Sequence, residues 1–163
     1  MFKTLDDIDC RGRRILVRGD LNVPVRDGAV TDTTRLDHLA PTLLELAKKG
    51  AKVVVLSHFG RPKGEALPEL TLRPIADALS MSLGGRPVAF ADDCIGDGAA
   101  TAVDALADGD VLLLENLRFH CGEEANAPDF AAALARLGDV YVNDGFSVSH
   151  RAHASTAGIA GHL

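Results

Sequence analysis

The 163 residues suffice for one domain that buries roughly 70% of its unfolded surface without disulfide staples. Hydrophobic content of 47% and charged content of 25% are ordinary for a globular chain, and a net charge of −6 argues against a general nucleic-acid binder. The longest apolar runs, such as Val53–Leu56 and Val111–Leu114, are far too short to span a membrane.

The opening stretch from Met1 to Arg14 carries acids and lacks an apolar centre, unlike a secretory leader. Cys10, Cys94 and Cys121 lie far apart with no Cys-x-x-Cys pair, the pattern of reduced intracellular thiols rather than of a disulfide framework or zinc site. A cytoplasmic protein is expected.

In chain order, Ile15–Val17 is the first of several short, unbroken apolar runs; Val53–Leu56, Val88–Phe90, Val111–Leu114 and Val140–Val142 follow. Such runs suit strands buried on both faces, the habit of parallel sheets. After the first run, Asp27-Gly28 between Val-Pro-Val and Ala-Val-Thr predicts a projecting hairpin. Leu36, Leu39, Ala40, Leu43 and Ala47 form one helical face that Gly50 ends, with Pro41 expected to kink the segment or delay its start. A second helix begins near Thr71, with Leu72, Ile75, Ala76 and Leu79 inward and Gly84-Gly85 closing it. A weaker third covers about 99–106. The fourth has Asn126 as its N-cap, Pro128 and Asp129 in its first turn, and Gly138 at its exit. The alternation predicts an α/β fold: a three-layer, Rossmann-like sandwich on a parallel sheet with right-handed crossovers.

In such sheets ligands bind beyond the carboxyl ends of the strands. There the sequence places Asp20 and Asn22, then Ser57-His58-Phe59-Gly60-Arg61-Pro62-Lys63-Gly64, then Glu115-Asn116-Leu117-Arg118, and finally Asn143-Asp144 with His150-Arg151-Ala152-His153. One charged loop residue is usually only solvated. Several arginine-bearing loops opening on one edge predict a site for phosphate or carboxylate. Asp32 can cap the first helix, which puts Arg35 at about the third position of its first turn, where a cation opposes the helix dipole. Arg35 then either pairs with an acid such as Asp37 or reaches an anion beside the helix start. Asn116 and Glu115 read either as ligands or as supports of loop backbone, with the supporting role preferred. Gly60, Pro62 and Gly64 serve loop geometry, and the Gly-x-x-x-x-Gly-Lys-Ser/Thr spacing of a phosphate-binding loop is absent from the sequence.

These segments resemble the signatures of the phosphoglycerate kinases: VRGDLNVPV (17–25), DGAVTDTTR (27–35), SHFGRPKG (57–64), LLLENLRFHCGEEAN (112–126) and YVNDGFSVSHRAHAST (141–156). Gly19 departs from the apolar residue more usual at its position. The resemblance implies reversible phosphoryl transfer between 1,3-bisphosphoglycerate and ADP, giving 3-phosphoglycerate and ATP. It also implies that Asp20 and Asn22 hold the hydroxyl and carboxyl end of the glycerate. His58, Arg61, Arg118 and Arg151 would surround the phosphate that stays, and Arg35 would be the catalytic cation on the migrating group. His150 and His153 would be supports behind these. Family members are bilobal and much longer, so residues 1–163 would form the N-terminal 3-phosphoglycerate-binding domain. Mg-ADP and Mg-ATP would bind the missing C-terminal lobe, and no metal or cofactor is expected here. The chain alone would bind substrate but turn nothing over. Rival readings are a stand-alone anion-binding or interaction domain, and a dinucleotide-binding domain in which Gly96-Asp97-Gly98 loosely imitates Gly-x-Gly-x-x-Gly and Glu115 takes a ribose.

Overall fold

The computed structural model describes residues 9–143 and 153–159, Ala157 by its backbone alone. The described residues form seven strands: β1 (Arg14–Arg18), β2 (Val25–Arg26), β3 (Ala29–Val30), β4 (Lys52–Leu56), β5 (Val88–Ala91), β6 (Val111–Leu114) and β7 (Val140–Asn143). Five of them make one sheet in the order β5-β6-β4-β1-β7. All its pairings are parallel, with Ile15 beside Val53 and Val140, and Val53 beside Val111.

The alternating side chains of these strands feed two separate cores. Ile15, Val17, Val53, Val55, Val111 and Leu113 face α1 (Thr34–Lys48) and α2 (Arg73–Ser82). Leu16, Val54, Leu56, Leu112 and Leu114 face α3 (Gly96–Asp104) and α5 (Pro128–Ala135). Each fully buried Leu, Ile or Val contributes roughly 1.5–3 kcal/mol of transfer free energy, so both faces must be covered for the sheet to persist. The expected three-layer sandwich follows. Beyond β4 the chain crosses by α2 to β5; beyond β6 it crosses by α5 to β7, in the other direction and over the other face. The crevice of the sheet therefore opens between the carboxyl ends of β4 and β6.

β2 and β3 make the expected hairpin, with Asp27 at φ 53° and Gly28 at φ 77°, the paired positive values of a tight type I′ turn. Of the two outcomes expected of Pro41, the delayed start does not occur: α1 runs on from Thr34 through Pro41, which lies on the exposed face, where water can serve the carbonyl that loses its partner. One expectation needs correction. Asn126 is not the cap of α5, whose N-cap is Ala127. It instead ends the short helix α4 (Cys121–Glu124) in the left-handed conformation, φ 51°. Asn126 N donates to Glu123 O at 3.3 Å and Ala127 N to Gly122 O at 2.9 Å, the bond pair of a Schellman turn. Asparagine suits both positions, and spacing alone does not separate them. α3 starts at Gly96, earlier than expected, while α2 ends before Gly84 and Gly85, both at positive φ.

Candidate functional site

The carboxyl end of β1 leads into a rim of polar contacts. Arg35, in the first turn of α1, donates through Nη1 to Asn22 O at 2.5 Å and lies 3.3 Å from Asp20 Oδ1. Asp20 Oδ1 also accepts from Asn22 N at 3.1 Å, and the Asn22 side chain accepts from Gly60 N at 2.9 Å. Asp32 is not the N-cap, which is Thr33, but stands just before it and accepts from Thr34 N at 2.9 Å and from the Thr34 hydroxyl at 2.6 Å. The Thr34 hydroxyl first, then its amide, hold the Asp32 carboxyl below the usual aspartate range. Because Thr33 is the N-cap, Arg35 is the second helical residue rather than the third. Its acid partner is Asp20, not Asp37, which accepts from Thr33 and Ser82 hydroxyls instead.

β6 supplies the opposite wall. Asn116 is fully buried. Its amide donates to Phe59 O at 2.7 Å and Leu70 O at 3.0 Å, while its oxygen accepts from Arg118 N at 3.0 Å. Arg118, 5% exposed, donates from Nη1 to Gly60 O at 3.4 Å, and its own carbonyl accepts from Gly64 N at 3.0 Å. A side chain at Gly64, φ 84°, would meet Cys121 Sγ at 2.2 Å, so this loop packs only with glycine there. Glu115 accepts from Leu72 N, Asn116 N and the Thr71 hydroxyl. That commits both of its oxygens to structure and removes the ribose-binding role of the dinucleotide reading.

The structure thus joins Asp20, Asn22 and Arg35 to Arg118 around the single backbone segment at Gly60. A cleft of about 610 Å³ opens beside them, with Asn22, Asp32, Arg35, Phe59, Gly60 and Leu70 in its wall. Arg61 is exposed on the same loop but does not line that cleft. His58 is buried at 5% exposure, and Arg18 Nη2 lies 2.8 Å from its Nδ1. Arg151, His150 and Asp144 lie outside the described residues. His153 is described and sits at the head of the π turn Ala154–Gly158, its N–H directed to Thr156 Oγ1 at 3.2 Å.

Sequence reasoning missed Arg18, Glu123, Ser155 and Tyr141. Arg18 and Glu123 are both 0% exposed and meet through the Ser155 hydroxyl. Arg18 is a charge ending an apolar strand, the one signal that spacing offered. Burial lowers the proton affinity of its guanidinium, and Glu123 opposes that effect. Burial likewise pushes the Tyr141 phenol and the Cys94 thiol up, which keeps both protonated. Cys94 does gather with Asp93 and His120, their ligand atoms within 4.8 Å of one another. Asp93 Oδ1 there already meets His120 Nε2 at 2.8 Å and Cys94 N at 2.7 Å.

Among the described residues no helix is long and apolar enough to cross a membrane. A parallel, doubly wound sheet of five strands with helices on both faces defines an α/β protein. The family model for phosphoglycerate kinase matches residues 5–163. The phosphoglycerate kinase of Rhodospirillum centenum is 64% identical over 162 residues, covering 99% of this chain and 40% of the relative. That of Rhizobium leguminosarum bv. trifolii is 63% identical over 163 residues, with the same shares. The solved phosphoglycerate kinase of Coxiella burnetii superposes with a TM-score of 0.86 at 34% identity, over 100% of this chain and 40% of that one. That of Pyrococcus horikoshii gives 0.86 at 32% identity, over 98% and 40%. The chain belongs to the phosphoglycerate kinase family. It spans about 40% of the length of the relatives it matches.

Proposed function

We propose that residues 1–163 are the 3-phosphoglycerate-binding part of a cytoplasmic phosphoglycerate kinase, which interconverts 1,3-bisphosphoglycerate and ADP with 3-phosphoglycerate and ATP. The observation that carries this reading is the bonded rim of Asp20, Asn22 and Arg35, tied through Gly60 to Arg118 at the sheet crevice. Asp20 and Asn22 take the hydroxyl and carboxyl end of the glycerate. His58, Arg61, Arg118 and Arg151 enclose the phosphate that is not transferred. Arg35, half exposed and held by one partly buried acid and one carbonyl, swings to the migrating phosphoryl group, whose spreading charge it neutralises. Phosphoryl transfer asks little covalent work of a protein, so positioning and charge carry the acceleration.

In this reading the magnesium nucleotide binds outside residues 1–163. Among the described residues the one three-ligand cluster, Asp93, Cys94 and His120, offers sulfur and imidazole, which magnesium avoids. No step here runs through that cluster.

Calorimetric titration with 3-phosphoglycerate tests the reading. Saturable binding that weakens with salt is expected. The absence of binding at millimolar ligand overturns it. Mixed with ADP and 1,3-bisphosphoglycerate, the chain should form no ATP beyond background; sustained turnover would show that the nucleotide site is here after all.

A further inference from the structure

Behind the rim lies a string of buried polar groups that the proposed site does not use. Arg18, the last residue of β1, is 0% exposed. Its Nε donates to Ser155 Oγ at 2.9 Å and its Nη1 to Gly19 O at 2.5 Å, while Nη2 stands 2.8 Å from His58 Nδ1. The Ser155 hydroxyl donates to Glu123 Oε2, and Ser155 N donates to Glu123 Oε1 at 2.7 Å. Tyr141 fixes the same residue from the other side, its hydroxyl donating to Ser155 O at 2.7 Å. Between Arg18, Ser155, Glu123 and Tyr141 each donor and acceptor is fixed. A hydroxyl that accepts from a guanidinium has its proton left for the carboxylate.

The same logic decides the state of His58. A guanidinium carries only donors, so at 2.8 Å the imidazole nitrogen facing it must be the acceptor. Nδ1 then keeps its lone pair, and the ring proton sits on Nε2. A doubly protonated ring would set two N–H groups head to head. Burial removes the water that could separate them.

We propose that Arg18 is a positioning residue that holds His58 as a neutral Nε2–H donor, with Ser155 and Glu123 anchoring Arg18 in turn. This rests on the 3-phosphoglycerate reading for its purpose: His58 offers the phosphate one directed hydrogen bond, and the positive charge behind it is the arginine's. Burial works hardest against that charge and Glu123 supports it, with Arg118 and Asp20 acting more weakly in opposite senses. A histidine fixed in this way discriminates by geometry, since its bond reaches an acceptor only along the Nε2 direction.

Nitrogen-15 NMR of the whole chain, histidine-labelled and without ligand, reads the tautomer. His58 should show a pyridine-type Nδ1 and a pyrrole-type Nε2 at neutral pH, with a scalar coupling across the hydrogen bond from Arg18. An imidazolium, or the opposite tautomer, in the unmutated protein overturns the proposal without any mutant having to fold. Arg18→Met should release His58 into a tautomer mixture and weaken 3-phosphoglycerate binding about tenfold, the loss of one directed hydrogen bond. Arg18→Lys, which still donates, should restore the Nε2–H form; failure to do so in a folded variant also overturns it. If the tautomer is as stated but 3-phosphoglycerate does not bind, the functional reading falls and the positioning role stands.

Discussion

The rim and the floor of the crevice use the same chemistry in opposite dielectric settings. On the rim, the Arg35 side chain is 50% exposed against 19% for Asp20. On the floor, Arg18 and Glu123 are sealed from solvent and share a serine hydroxyl. An exposed pair gains little from its contact and breaks easily, which suits a side chain that must turn to a ligand. A buried pair has already been stripped of water, so neither partner can leave without stranding the other. Mobile charge thus stands on fixed charge.

The largest effect should come from breaking the floor. Glu123→Ala strands the Arg18 guanidinium and should lower unfolding free energy by ~3–5 kcal/mol, measured by denaturant titration. A loss below about 1 kcal/mol would mean that the buried string contributes no rigidity. Next comes the loop at the crevice mouth. Arg61→Ala should cost about 1.5–3 kcal/mol of 3-phosphoglycerate affinity, roughly 10- to 150-fold in dissociation constant, with stability unchanged. Unaltered affinity in the folded variant removes Arg61 from the site. On the rim, Asp20→Asn should change stability by only ~0.2–1 kcal/mol while weakening the ligand; a stability loss as large as that of Glu123→Ala would erase the contrast.

The smallest effect lies at the opposite end of the sheet, where Arg14 Nη2 and Asp139 Oδ1 pair at 3.0 Å, both partly exposed. The hydrogen bond from Arg14 holds the Asp139 carboxyl below its ordinary value. A depressed carboxyl contributes stability that is present above its unfolded-state pKa and lost as pH falls through the folded one. The pair should therefore add less than ~1 kcal/mol at neutral pH and nothing in strong acid, and Asp139→Asn should flatten that part of the acid limb. An acid limb identical in the two proteins would show the pair to be inert.

Much of this was legible from local pattern. Apolar runs marked the strands, Asp27-Gly28 marked the hairpin, and strand-end positions marked Asp20, Asn22 and Arg118. What escaped was whatever depends on distance along the chain. Arg18 and Ser155 bond across 137 positions, and Glu123 and Ser155 across 32, with no periodicity to announce either. Glu123 sits beside Glu124 in an acidic pair that reads as a solvated surface, yet only Glu124 is exposed. Asn126 misled for a local reason: asparagine favours a helix start and a left-handed helix end alike, and the choice fell to the closing bonds of α4.

The place of β1 in the sheet has a consequence for synthesis. β1 leaves the ribosome before the other described strands, yet one flank of it pairs with β7, whose Val140 lies beside Ile15. Until that late segment emerges, the nascent chain presents β1 with a bare side and unspent amide groups. Completing it is a long-range closure of the slow kind, and the interval before it is when the growing polypeptide is most open to mispairing with its neighbours on a polysome.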